Sequence, residues 1–311
     1  MEQVSLGRSG LRVSEIGLGM WQAGEPIWGK DYTEDECVAA MRRAHELGIT
    51  LIDTAEGYGH GRSEEVVGRA VKEIGRENLV LATKVHHPRY EHVLKACDAS
   101  LKRLAVKEID LYQVHWPDPW AQVPLRHTFR ALEELHRDGK IRAIGVSNFG
   151  VRDLEEARSL LSRTDIASNQ VRYNLIDREV EEQVVPYCKR ENITVLAWSP
   201  LAKGILTGKY EPGKARPSDE LRKDSPSFRE ANLKEYEKVL GPLREIAAKL
   251  GKTPGQVALN WLMRDGNAVP IPGAKRVEQA EENAGAAGWR ISRAEVETLR
   301  QASNSLILDL F

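Results

Sequence analysis

"ITLIDTAEGYGHGRSEEVVGRAVKEIGRENLVLATKV", residues 49–85, contains one full period of the pattern that organises this 311-residue chain. A short β-branched run (49–55) passes through a glycine-rich loop into a helical pattern, and a second apolar run (79–85) follows. Similar runs recur at 14–21, 109–115, 141–148, 166–173, 193–201 and 268–274, eight in all. Between them lie stretches such as "TEDECVAAMRRAHELG" and "PLRHTFRALEELHRDGK", with apolar residues at helical spacing and Gly or a basic residue near the end. Eight strands with following helices predict an α/β fold, a (β/α)8 barrel, as a single domain over residues 1–311. A doubly wound sheet would also alternate, but it wants a glycine fingerprint after an early strand. In "GLGMWQ", Gly17 and Gly19 are followed by Gln22 where the third glycine belongs.

Two regions break the rhythm. "VSLGRSGLRVSEIG" (4–17) predicts an N-terminal hairpin, a plug for one barrel end. After "SPLAKGILTGKY", 22 polar, Pro- and charge-rich residues (211–232) predict a long loop behind the seventh strand, of the kind that serves as a lid. "LKEYEKVLGPLREIAAKLG" and "SRAEVETLRQASN" predict extra helices. The composition, 41% hydrophobic and 29% charged, describes a globular chain with a large core. A formal charge of −1 favours neither nucleic acid nor an anionic membrane as partner. The opening "MEQVSLGRSG" lacks the basic and apolar regions of a secretory signal, so a cytoplasmic protein is expected. Cys37, Cys97 and Cys188 fall within helical patterns and form no C-x-x-C pair, which predicts buried thiols.

The polar residues carry the functional signal. Asp53, Lys84, His115, Ser147 with Asn148, Gln170 and Ser199 stand at or near the carboxyl ends of apolar strands. Asp53 to Lys84 and Lys84 to His115 are each 31 residues, and His115 to Ser147 is 32, one β-α unit every time. Equal strand positions are expected at equal height, so these side chains converge on the barrel mouth where such folds do chemistry. An ammonium following "LVLAT" needs a carboxylate partner, and Asp53 on the adjacent strand supplies one. Tyr58, in the loop with Gly57, Gly59 and Gly61, is expected to bend inward to Lys84. The ammonium is then expected to lower the phenol pKa, making a proton donor for a carbonyl, with His115 orienting the substrate oxygen.

These residues resemble the aldo-keto reductases. The likeness rests on "LIDTAEGYGHGRSEEVVG", "LATKV", "LYQVHWPD", "GKIRAIGVSNF", "NQVRYN", "AWSPLAKGILTGKY" and "IPGAK…EEN", in order over essentially the whole chain. "IPGA" is similar to the branch with bacterial stress reductases and potassium-channel β subunits, and Gly273 there replaces a lysine of other branches. The resemblance implies reduction of an aldehyde or ketone by NADPH, with Tyr58 as general acid and Asp53, Lys84 and His115 completing a catalytic tetrad. It implies Ser147, Asn148 and Gln170 on the nicotinamide carboxamide, Asp53 nearby, Trp198 stacked on the ring, and Met20 and Trp21 beside the cofactor. Ser199, Pro200, Leu201, Gly204 and Leu206 match the segment embracing the pyrophosphate. Lys275 and Arg276 are placed to meet the 2′-phosphate, and Glu282 and Asn283 match adenine contacts. Many NADP-preferring members have arginine at Gln279, so NAD(H) stays open as the less favoured cofactor.

Trp21, Tyr58, His86, His115, Trp116 and Trp120 form the expected substrate pocket, an aromatic set suited to flat or apolar carbonyls. The expected assembly is a monomer or weak homo-oligomer. Other readings are a cofactor-holding redox-sensing subunit with little turnover, and a metal hydrolase built on Asp53, His60, His86, His87 and His115. Consecutive His86 and His87 cannot both face inward from one strand, and no H-x-H marks the first strand. A serine nucleophile at Ser147 fails too, because "GVSNF" lacks the second glycine of the elbow.

Overall fold

The computed structural model describes residues 1–29, 31–86, 89–118, 122–214 and 217–309. A hairpin opens the chain, with β1 (Gln3–Ser5) antiparallel to β2 (Arg12–Ser14). Then follow β3 (Leu18–Gly19), α1 (Glu34–Glu46), β4 (Leu51–Asp53), α2 (Arg62–Ile74), β5 (Val80–Val85), α3 (Tyr90–Leu104), β6 (Ile109–Val114) and α4 (Leu125–Arg137). The second half runs β7 (Ile141–Ser147), α5 (Val151–Ser159), β8 (Ile166–Arg172), α6 (Val184–Arg190), β9 (Thr194–Trp198), α7 (Glu230–Leu250), α8 (Pro254–Leu262), β10 (Ala268–Pro270), α9 (Val277–Ala284) and α10 (Arg293–Asn304).

Strands β3 to β10 pair in chain order, all parallel. The ring closes where the amides of Gly17 and Gly19 donate to Pro270 O and Pro272 O at 2.9 and 3.0 Å. The (β/α)8 barrel expected from the sequence is present, with its hairpin, its extra helices and a long segment, 199–229, after β9. That segment has some structure of its own in short 3-10 turns at Ala202–Thr207 and Pro226–Phe228. Helix starts are set locally: Thr33 with Glu36, Thr253 with Gln256 and Ser292 with Glu295 form capping boxes that satisfy otherwise orphaned amides. The three cysteines are free and buried on α1, α3 and α6.

Inside the barrel, alternate residues of each strand face inward. One layer is formed by Leu51, Ala82, Leu111, Ala143, Ala167, Leu196 and Val269, large and small side chains interdigitating. Leu6, Leu11 and Val13 of the hairpin pack against it, so the hairpin is the barrel floor. Two residues further along β4, β5 and β6, at the opposite end from the hairpin, the interior turns polar with Asp53, Lys84 and Gln113. The floor depends on a close approach at Gly7: φ is +53°, and a Cβ there would lie 2.4 Å from the carbonyl oxygen of Ala167. Gly10, in the same turn at φ +76°, has open space around its missing Cβ.

The two glycines separate backbone strain from overlap. Gly10→Ala is expected to cost about 1 kcal/mol for the left-handed conformation. Gly7→Ala should cost about 3 kcal/mol, strain and overlap together. Urea unfolding of the two variants checks this; equal losses would show that the hairpin does not bear on the barrel floor.

Candidate active site

Asp53 ends β4, Lys84 lies on β5, and both side chains point into the barrel with almost no exposure. Lys84 Nζ donates to Asp53 Oδ1 at 2.6 Å, to the carbonyl oxygen of Thr54 at 2.9 Å, and lies 3.1 Å from the Tyr58 hydroxyl. All three ammonium protons therefore have partners. The other Asp53 oxygen accepts from Gln113 Nε2 at 3.1 Å and Gln170 Nε2 at 2.8 Å. Burial is the largest single influence on Lys84 and pulls its pKa down. Asp53, with help from Tyr58, outweighs it, so the ammonium is held above its ordinary range.

Tyr58 is not on a loose loop. Gly59 N donates to Glu25 Oε1 at 2.8 Å, and Ser63 Oγ binds both Thr54 Oγ1 and the carbonyl oxygen of Met20. Gly59, at φ +59°, lies so close to Gly24 that a Cβ would fall 1.9 Å from its carbonyl oxygen. The Tyr58 ring stacks on Trp21 with centroids 5.8 Å apart and meets His115 edge-on at 5.7 Å. The expected lowering of the phenol pKa is overturned. Burial raises it, the Lys84 ammonium opposes this only in part, and Asp53 adds to the rise. Tyr58 thus rests as the neutral acid.

In hydrogen-bond register the strand-end residues do not align. Asp53 pairs with Ala82 and Lys84 with Gln113, so Lys84 stands two residues beyond Asp53 and His115 two beyond Lys84, level with Ser147. Strand stagger, inherent to closing a barrel, produces the offset. Gln113 was missed by the sequence reading, although a polar residue two positions before His115 shares its strand face. His115 lies at the mouth, its imidazole pushed down to about 2 by burial first and by the Lys84 charge second, with His86 adding. It is therefore a neutral ring. Its edge-on neighbour at 5.6 Å is His86.

These groups open into one cleft of about 1860 Å³ along the barrel mouth. Met20, Trp21, His86, Trp116, Ser147, Asn148, Gln170, Trp198, Ser199, Pro200, Leu201 and Gly204 line it, as do Gly273, Lys275, Arg276, Gln279, Glu282 and Asn283. Leu206 does not: it is fully buried in the outer core beneath the turn. Trp120 and His87 lie outside the described residues. Among the described residues no group of three acids, histidines or cysteines is arranged to hold a metal.

Behind the cleft, Ser147 Oγ donates to Gln170 O at 2.7 Å, Asn148 Nδ2 to His115 O at 3.0 Å, and Trp198 Nε1 to Asn148 Oδ1 at 3.1 Å. Asn148, Ser199, Ala202 and Lys203 all have positive φ, strain concentrated on this rim. At the far end, Lys275 and Arg276 are not free: Asp31 pairs with both, at 2.8 and 2.9 Å. Glu25, Trp28 and Asp31, which also line the cleft, come from a stretch without periodic signal between β3 and α1.

A family model described as "Aldo/keto reductase family" matches residues 15–304. The chain belongs to the aldo/keto reductase family. Among curated relatives, the aldo-keto reductase YhdN of Bacillus subtilis is 37% identical, covering 99% of this chain and 96% of the relative. An NADH-specific methylglyoxal reductase of Escherichia coli is 32% identical, covering 98% and 99%. Among solved structures, the thermostable aldo-keto reductase Tm1743, in complex with the inhibitor epalrestat, superposes with TM-score 0.82 at 36% identity, covering 97% and 100%. An aldo/keto reductase from Klebsiella pneumoniae in complex with NADP and acetate superposes with TM-score 0.78 at 30% identity, covering both chains fully.

As an aldo/keto reductase, the chain is an NAD(P)-dependent oxidoreductase, and the cleft fits a nicotinamide dinucleotide. It runs from the Trp198 ring to the Lys275–Arg276 cations. Gln22, Trp28, His115 and Asp219 line it, and each carries a buried polar atom (Oε1, Nε1, Nδ1 and Oδ1) without a hydrogen-bond partner among the described residues. Orphaned groups of this kind want a polar ligand.

The neutral His115 has a stability signature. In the unfolded chain it protonates near 6.5, but in the fold only near 2, so the native state binds fewer protons as pH falls. Wild type should lose up to about 1.4 kcal/mol per pH unit below about pH 6.5 on this account. His115→Gln should show a shallower acid loss in urea melts between about pH 6.5 and 4.5. Parallel curves would mean that the ring protonates freely in the fold.

Proposed function

We propose that this aldo/keto reductase is a carbonyl reductase of one barrel domain, using NADPH in preference to NADH, with Tyr58 as proton donor to an aldehyde or ketone. The observation that carries the reading is the Lys84 ammonium, 2.6 Å from Asp53 and 3.1 Å from the Tyr58 hydroxyl at the base of the cleft. The bound dinucleotide supplies the hydride. As the carbonyl carbon gains it, the oxygen acquires negative charge and takes the Tyr58 proton. The phenolate so formed is stabilised by Lys84, whose charge Asp53 secures. His115, neutral across the working pH range, donates an N–H to the same oxygen and orients the substrate. It is too weak a base to be the acid itself.

In this reading Ser147, Asn148 and Gln170 present polar groups to the carboxamide, with Trp198 as stacking face and Met20 and Trp21 alongside. The turn from Ser199 through Pro200, Leu201 and Gly204 offers backbone to the pyrophosphate, with Leu206 anchoring it from the core. Lys275 and Arg276 take the 2′-phosphate, flanked by Gln279; Glu282 and Asn283 take the adenine. Trp21, Trp116 and His86 wall the substrate side, which suits a small, flat or apolar carbonyl. A redox-sensing subunit would need the dinucleotide site but not the acid, ammonium and carboxylate set, which favours turnover.

Tyr58→Phe should bind NADPH with unchanged Kd while losing kcat for a reactive aromatic aldehyde by about 10²–10⁴-fold. Unchanged turnover would remove Tyr58 from the role. Lys84→Met should also cripple reduction and alter the alkaline limb of the kcat profile. A profile of unaltered shape would uncouple the ammonium from the phenol.

A further inference from the structure

At the end of the cleft away from Tyr58, an acid of the chain itself occupies the cations. Lys275 Nζ donates to Asp31 Oδ1 at 2.8 Å and to the carbonyl oxygen of Trp28 at 3.0 Å. Arg276 Nη2 donates to Asp31 Oδ2 at 2.9 Å, and its Nε lies 3.6 Å from Glu36. One carboxylate thus bridges both cations through separate oxygens. The Lys275 side chain is only 13% exposed, whereas that of Asp31 is 59% exposed, so the carboxylate covers the lysine from the solvent side. The Lys275 hydrogen bond, foremost, and then Arg276 hold the Asp31 carboxyl down to about 2 against its partial desolvation, so it stays charged at any working pH.

Carboxylate and phosphate oxygens compete for the same ammonium and guanidinium donors. We propose that Asp31 is a specificity-determining residue, a built-in rival of the cofactor's 2′-phosphate that must release Lys275 and Arg276 when a 2′-phosphorylated nucleotide binds. The inference rests on the reading of Lys275 and Arg276 as the 2′-phosphate site. A nucleotide bearing only a 2′-hydroxyl leaves both pairs intact and can donate that hydroxyl to the carboxylate. Asp31 therefore penalises NADPH and spares NADH, narrowing the gap between the two cofactors.

The test is of binding and needs no turnover. Adenosine 2′,5′-bisphosphate, 5′-AMP, NADPH and NADH are titrated calorimetrically into the full chain, into Asp31→Asn and into the double variant Lys275→Met/Arg276→Met. Asp31→Asn should tighten the bisphosphate and NADPH by about threefold to tenfold, the size two partly exposed ion pairs can carry, and move 5′-AMP and NADH by less than about twofold. Unchanged or weaker binding of the 2′-phosphorylated ligands, or equal tightening of all four, overturns the proposal. The double variant separates the two levels. If it loses the preference for bisphosphate over 5′-AMP while Asp31→Asn changes nothing, only the role of Asp31 falls. If it keeps that preference, the 2′-phosphate site itself is elsewhere and both readings fall.

Discussion

An ammonium ion without access to water is the constraint around which the mouth of this barrel is arranged. Lys84 is fully buried, and an unpaired charge there would cost several kcal/mol. Asp53 supplies the opposite charge at 2.6 Å, the Thr54 carbonyl a second acceptor, and the Tyr58 hydroxyl a third. The carboxylate is buried in turn, so its remaining oxygen is taken by the amides of Gln113 and Gln170. Each member is positioned by the needs of its neighbour. The phenol is one of those neighbours, and so its place at the rim is set by the ion pair behind it.

That arrangement requires a rigid setting, and the barrel supplies it. Beneath the polar layer, the interlocked leucines and alanines of successive strands leave the inward-facing residues little freedom to shift. The hairpin closes the other end, keeping water from the apolar layer. Left-handed non-glycine residues gather at the opposite rim, where Asn148, Ser199, Ala202 and Lys203 each cost on the order of 1–3 kcal/mol, while Ala105 and Asn192 adopt the same conformation after α3 and α6. Packing around the core holds these residues in place, so the backbone amides and carbonyls at the mouth point in directions relaxed turns would not give.

The electrostatics of the two ends of the cleft differ in kind. At the inner end a buried cation is neutralised by a buried acid, and the balance is insensitive to salt. At the outer end Lys275 and Arg276 meet Asp31 close to solvent, where pairs are weak and exchangeable. A fixed pair suits a group that must stay charged through each turnover. An exchangeable pair suits a site that must take up and release a charged ligand. Relatives of this chain include an NADH-specific enzyme and one crystallised with NADP, so the family fold by itself does not choose between the two.

Much of the protein was legible in the chain. The eight apolar runs, their helices and the polar residues at strand ends follow from local periodicity, because burying one face of a strand or helix dictates where apolar residues recur. The demand of Lys84 for a carboxylate was legible for the same reason: an apolar strand leaves a cation no alternative. Four things were decided only by tertiary structure. Strand stagger set Lys84 beside Gln113 and lifted His115 a layer, which no linear spacing records. The balance of burial against charge turned the Tyr58 phenol upward where proximity to Lys84 alone argued downward. Packing in three dimensions also withdrew Leu206 into the core. Finally, Asp31 reached Lys275 across 244 residues of chain, because the fold brings the first and last turns of the barrel together where the ring closes.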